Sequence, residues 1–248
     1  MSDSKQTNST QRESSFATTH WSVILAAGNQ SSPDYTRALS ALCWTYWYPL
    51  YAYLRRRGYY RHQAEDYTQS FFAGLLERQS IRKADPKQGK FRSFLLASLK
   101  NFLADEYDRV KAQKRGGGIK VYSLDIEDAE TRYSREPVDD LTPEKLFERY
   151  WALEVLKQAM ARLKAEYVTA NKIELFNYLK TYLTAQQDSI PYRDAADRLN
   201  MTEGAVRVAV HRLKQRYREL VRQEIAQTVT SPDQVDEEIN ELFAALAD

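Results

Sequence analysis

Between Val206 and Leu220 the apolar residues Val206, Val210, Leu213, Tyr217 and Leu220 alternate steps of four and three, the spacing of one helical stripe facing a core. Glu203, Arg207, His211, Lys214 and Arg218 fall on a separate, solvent-facing stripe. Just upstream, Ala195, Ala196 and Leu199 give a shorter helix its apolar side, with Ser189 placed to cap it and Pro191 expected in its first turn. A turn at Asn200-Met201 follows, and Thr202 is placed to cap the next helix, with Glu203 at the positive end of its dipole. The pattern predicts two helices around a tight turn, a helix-turn-helix that reads DNA. Gly204, in the first turn of the second helix, costs about 1 kcal/mol relative to Ala. Close approach of the first helix, or of a DNA backbone, is the expected compensation.

The remaining pattern is also helical. Residues 1–33 form a polar N-terminal extension with a short apolar helix at 21–27. From 34 to 114 nearly everything reads as helix, broken at Gly58 and at 85–89, which makes a first domain. Residues 115–141 open on Gly116-Gly117-Gly118 and carry Asp125, Glu127, Asp128, Glu130, Glu136, Asp139 and Asp140, as expected of a flexible acidic linker. Thr142-Pro143-Glu144 starts a second helical domain, 142–224. In the acidic extension 225–248, Val235, Ile239, Leu242 and Leu246 repeat at helical spacing, opposite Asp236, Glu237, Glu238 and Glu241. Such a helix needs a seat. It either folds back on the second domain, shielding the basic helix, or binds a separate regulator. Period-two alternation is confined to scraps such as 119–124, so the expected fold is all-α, two helical domains on a tether.

The formal net charge of +2 over 248 residues means that any nucleic-acid surface is local. One candidate is the second helix of the helix-turn-helix, where Arg207, Arg212, Lys214, Arg216, Arg218 and Arg222 face only Glu203 and Glu219. Another is 87–115, where Lys87, Lys90, Arg92, Lys100 and Arg109 interleave with Phe91, Phe94, Phe102 and Tyr107, a mixture suited to single-stranded DNA. The phenylalanines have core spacing, and at most one of them is expected to touch DNA. No apolar run approaches the ~20 residues of a membrane span, and 1–15 lacks the order of a secretion signal, so a cytoplasmic address is expected. Cys43 is the only cysteine, which excludes an internal disulfide and a cysteine-built zinc site and suggests a small buried thiol. The three histidines are far apart, His62 and Asp66 read as surface residues, and Gly116-Gly117-Gly118 lacks the lysine and hydroxyl of a P-loop. No catalytic residue, cofactor or metal is expected.

In the first domain, Trp47-Tyr48-Pro49-Leu50-Tyr51-Ala52-Tyr53-Leu54, Ala64-Glu65-Asp66 with Gln69 and Phe71, Gly89-Lys90-Phe91-Arg92-Ser93-Phe94-Leu95, and Lys100-Asn101-Phe102-Leu103 with Arg109 follow in order. This succession resembles region 2 of sigma-70-type factors, and residues 192–216 are similar to the region 4 helix-turn-helix of the extracytoplasmic-function branch. The resemblance covers most of 35–224. The Thr18-Thr19-His20-Trp21 opening and the acidic tail resemble a subgroup of larger factors of that branch.

The resemblance implies that Glu65, Asp66 and Gln69 bind core RNA polymerase. It assigns Asp85, Lys90, Arg92 and Asn101 to recognition and melting of the minus-ten promoter element, with a flipped-base pocket at 84–90. Thr202, Glu203, Arg207, Val208 and His211 would read the minus-thirty-five duplex, with Arg212 compensating where Ala209 replaces a basic residue usual in the family. In base chemistry, Arg207 suits guanine or a phosphate, Glu203 a cytosine amine and Val208 a thymine methyl. The acidic linker either threads the polymerase's RNA exit path or is a plain tether. Expected partners are core RNA polymerase and promoter DNA, both duplex and melted, with restraint by an anti-sigma factor or by the C-terminal extension. A one-component helix-turn-helix regulator, whose first domain binds a ligand or protein, remains the alternative.

Overall fold

The computed structural model describes residues 35–77, 89–112, 126–135, 141–184, 191–226 and 233–247, with single positions at 33, 81, 84 and 229. The expected helix at 21–27 and the cap at Ser189 lie outside them. The described residues hold ten helices and no strand, in keeping with the all-α expectation. In chain order they are α1 (Tyr35–Arg56), α2 (Arg61–Glu77), α3 (Phe91–Ala112), α4 (Ile126–Arg135), α5 (Pro143–Thr169), α6 (Ile173–Leu179), α7 (Thr181–Thr184), α8 (Tyr192–Leu199), α9 (Glu203–Ala226) and α10 (Asp233–Ala247).

Helix α1 is central because it is apolar all round. Leu50, Tyr51, Ala52, Tyr53 and Leu54 are successive and all buried, so no face of that stretch meets water. Gly58, at φ +90°, ends it. The Gly58 amide donates to Arg55 and the Tyr59 amide to Leu54, satisfying carbonyls that the helix would otherwise leave open. Helix α2 buries Ala64, Thr68, Phe71 and Leu75, and α3 buries Phe91, Leu95, Leu99 and Leu103, each a stripe at helical spacing.

Helix α5 joins this group to the rest. Thr142 caps it, its hydroxyl accepting from the Lys145 amide at 3.3 Å, and Pro143 occupies the first turn. On one side, Gln158 of α5 donates to Thr45 of α1 at 2.8 Å, and the Tyr48 and Tyr150 rings meet edge to face at 4.8 Å. On another, the Tyr217 hydroxyl of α9 donates to the Leu156 carbonyl at 3.1 Å, and Arg162 pairs with Glu224 at 2.5 Å. The early and late helices therefore share one core through α5.

The acidic connector, expected to be a mobile tether, contains α4, and α4 is docked. Ala129 is buried, and Glu130 pairs with Arg55 at 2.9 Å and accepts from the Tyr51 hydroxyl. Arg132 lies 3.9 Å from the Tyr48 ring centroid and pairs with Glu154 at 2.5 Å. One face of the connector thus meets cations and rings on α1 and α5 instead of water. Cys43 is half-buried, and burial pushes its thiol up to about 11.

Candidate nucleic-acid interface

Two helices, α8 and α9, form around a turn where the pattern placed them. Asn200 takes a left-handed conformation at φ 52°, which lets the Met201 amide reach back to the Ala196 carbonyl at 3.0 Å and turn the chain. The Thr202 hydroxyl then accepts from the Ala205 amide at 3.2 Å, starting α9. Val206, Val210, Leu213 and Leu220 are buried and Tyr217 is half-buried, as the stripe required. Pro191 differs from expectation: it is extended, with ψ 132°, and precedes α8 instead of lying in its first turn. Proline has no side-chain acceptor for a cap, and the Pro191 carbonyl instead accepts from the Tyr182 hydroxyl at 3.1 Å. The Tyr182 ring stacks on Tyr192 at 5.4 Å, which fixes the start of α8.

Thr202, Glu203, Arg207, Val208, His211 and Arg212 are all exposed. The Arg207 guanidinium lies 5.3 Å from the Tyr192 ring centroid, a contact that restrains its direction. The expected approach of α8 to Gly204 is absent, because a Cβ built there meets nothing within 4 Å. Gly204 instead borders an open groove of about 630 Å³, lined by Tyr167, Leu175, Met201, Val208 and Arg212 among others. Two members of the basic set serve the fold. Arg216 pairs with Glu166 at 2.7 Å and with Glu219 at 3.0 Å, and Arg222 pairs with Asp236. The Arg216 guanidinium holds the Glu166 carboxyl below the usual carboxylate range despite partial burial. The positive field of α9 is therefore concentrated toward its N-terminal half.

On the first module, Ala64, Phe71 and Leu75 turn inward as expected. Asp66 is exposed, Gln69 is half-buried, and Glu65 pairs with Arg61 at 2.7 Å. Asn101 is exposed, while Asp85 lies outside the described residues. Phe91 is buried, Phe94 and Phe102 are half-buried in ring contacts, and Tyr107 stands exposed.

Lys90 and Arg92 differ from a strand-binding pair. Arg92 is only 4% exposed and its guanidinium lies 4.1 Å from the Trp151 ring centroid. It binds Glu148 of α5 at 2.6 Å, Glu241 of α10 at 2.6 Å, and Glu238 of α10. Lys90 reaches Glu238 at 2.8 Å and also pairs with Glu241. Burial pushes the Glu241 carboxyl up, but Lys90 and Arg92 outweigh it and hold the group below the usual range. In this arrangement Arg92 is closed to a DNA strand, and Lys90, though half-buried, is engaged by two acids. The C-terminal helix was expected either to fold back on the second domain, shielding its basic helix, or to bind a separate regulator. It folds back on α5 and α9, and its acids Glu238 and Glu241 reach past them to the start of α3. Glu148 and Trp151 escaped the sequence reading, which had Glu238 and Glu241 only as acids on the polar side of the C-terminal helix. The available signal was the acidic pair three residues apart on α10.

Among the described residues no cluster of His, Cys, Asp or Glu is arranged to hold a metal ion, and no helix is long and apolar enough to cross a membrane. Residues 45–114, spanning most of α1, all of α2 and α3, match the family model described as Sigma-70 region 2. The match covers that stretch alone, and it is a similarity to a domain of transcription initiation factors, which are not enzymes. No curated protein and no solved structure matches the chain.

Proposed function

We propose that the protein is a cytoplasmic sigma factor of the extracytoplasmic-function branch. What supports this reading is the match of 45–114 to sigma-70 region 2 on the same chain as two helices around a tight turn, the second with exposed basic residues at its start. Core RNA polymerase docks on α2 around Asp66 and Gln69, with Glu65, where acidic and amide groups suit a basic partner. The start of α9 enters the major groove of the minus-thirty-five element and presents Thr202, Glu203, Arg207, Val208, His211 and Arg212. The open space before Gly204 leaves room for a phosphate backbone. Asp85, Lys90, Arg92 and Asn101 serve the minus-ten element, for which Lys90 and Arg92 must first be uncovered. The C-terminal extension, or an anti-sigma factor, restrains the free protein.

Transcription in vitro with the full chain, core RNA polymerase and a library of genomic fragments tests this. Transcripts should start at defined promoters, and the chain should co-elute with core enzyme. Failure to form that complex even at low salt, where ionic contacts are strongest, overturns the reading. Tight binding to duplex DNA without polymerase would instead point to a one-component regulator.

A further inference from the structure

We propose that α10 is an autoinhibitory latch, an acidic helix whose Glu238 and Glu241 occupy Lys90 and Arg92 in place of nucleic-acid phosphates. The inference rests on the minus-ten reading of those two cations and adds what keeps them from DNA. Glu238 is 1% exposed, so its carboxylate is seated and not merely near the surface. A buried carboxylate is tolerated only against well-placed cations, and Lys90 and Arg92 supply them. Val235 and Leu242 are buried on the same helix and Ile239 is half-buried, so apolar contacts fix the register that presents both acids to one point. Glu241 accepts a hydrogen bond from Arg92 at 2.6 Å and a Glu238 oxygen lies 2.8 Å from the Lys90 ammonium, so the two acids offer these cations what a phosphate offers, close anionic oxygens. Helix and strand cannot both use them.

Asp66, on the polymerase-facing side of α2, remains exposed with the latch shut. The closed protein is thus competent to meet core enzyme before it can hold a melted strand. Release of α10 leaves Arg92 still bound to Glu148 of α5, so Lys90 is the cation more fully freed.

The test uses the full chain and a fluorescein-labelled oligothymidine of about 20 nucleotides, a sequence-neutral probe for a basic, single-strand-binding surface. Binding is read by anisotropy at low salt, and the seating of α10 by hydrogen exchange over 233–247. E238Q/E241Q should lose protection over that segment and bind about tenfold tighter, the change expected when nine molecules in ten begin closed. Glu241→Gln alone, at an exposed position, should shift affinity in the same direction by less, and it decides the matter if the double variant does not fold. Glu237→Gln, an exposed acid on the same helix, controls for net charge and should bind as wild type. Lys90→Ala added to the double variant should remove the gain. The latch is overturned if the double variant frees α10 without tightening binding, if α10 stays protected, if Glu237→Gln gains as much, or if the gain survives Lys90→Ala. Co-elution of the wild-type chain with core enzyme is scored separately, so loss of the sigma reading is distinguishable from loss of the latch.

Discussion

Two helix starts in this molecule carry the same kind of cation and meet opposite fates. At the start of α3, Lys90 and Arg92 are covered by acids from α5 and α10, and the Arg92 guanidinium sits over the Trp151 ring. At the start of α9, Arg207, His211 and Arg212 stand in solvent. As sequence, both are basic helix starts beside aromatic or apolar residues. The difference lies in what arrives from elsewhere: three acids, Glu148, Glu238 and Glu241, reach the α3 pair, whereas the start of α9 has only its own Glu203 close in sequence. A cationic cluster becomes a binding surface only when the rest of the fold leaves it uncovered.

The comparison breaks most sharply at Arg92. Arg92→Ala should cost about 1–3 kcal/mol of folding stability, because it takes the guanidinium from Glu148 and Trp151 and from the seat of α10; urea unfolding measures this. At Arg207 the expectation inverts. Arg207→Ala should leave stability within about 0.5 kcal/mol but weaken promoter binding by the holoenzyme by about 1–3 kcal/mol, read by titrating labelled duplex. Unaltered binding would remove Arg207 from the interface. Thr202→Ala tests whether the exposed site depends on its cap, and should cost about 1 kcal/mol in thermal or urea unfolding.

The smallest effect concerns pH. Glu166 is held below its ordinary 4.5 by Arg216, so the pair stabilises the fold above that value and is lost as pH falls through the depressed folded value. Both side chains are well exposed, so the contribution is under about 1 kcal/mol. The stability gap between wild type and Arg216→Gln should therefore close as pH drops below 4.5.

What was legible followed from local period. The stripe of α9, the cap at Thr202, the break at Gly58 and the amphipathic α10 each depend on residues within a few positions of one another. The seat of α10 was not legible, because Arg92 and Glu241 are 149 residues apart and nothing local distinguishes a solvated acid from a paired one. Helix α4 hid for the same reason: Glu130 reads as one more charge in an acidic run until Arg55 and Tyr51 are beside it. Gly204 misled in the other direction. Its helical cost suggested a neighbour that would explain it, and the protein itself provides none within 4 Å.

Helix α5 also sets a reach. Its 27 residues extend about 40 Å, and both α1 and α9 lie against it. Two promoter boxes named for positions about 25 base pairs apart are separated by about 85 Å of straight duplex. On the proposed reading of the chain as a sigma factor, that separation is about twice the length of α5. Spanning it by parting α1 from α5 would unzip the edge-to-face seam of Tyr48 and Tyr150, which would then serve as a hinge.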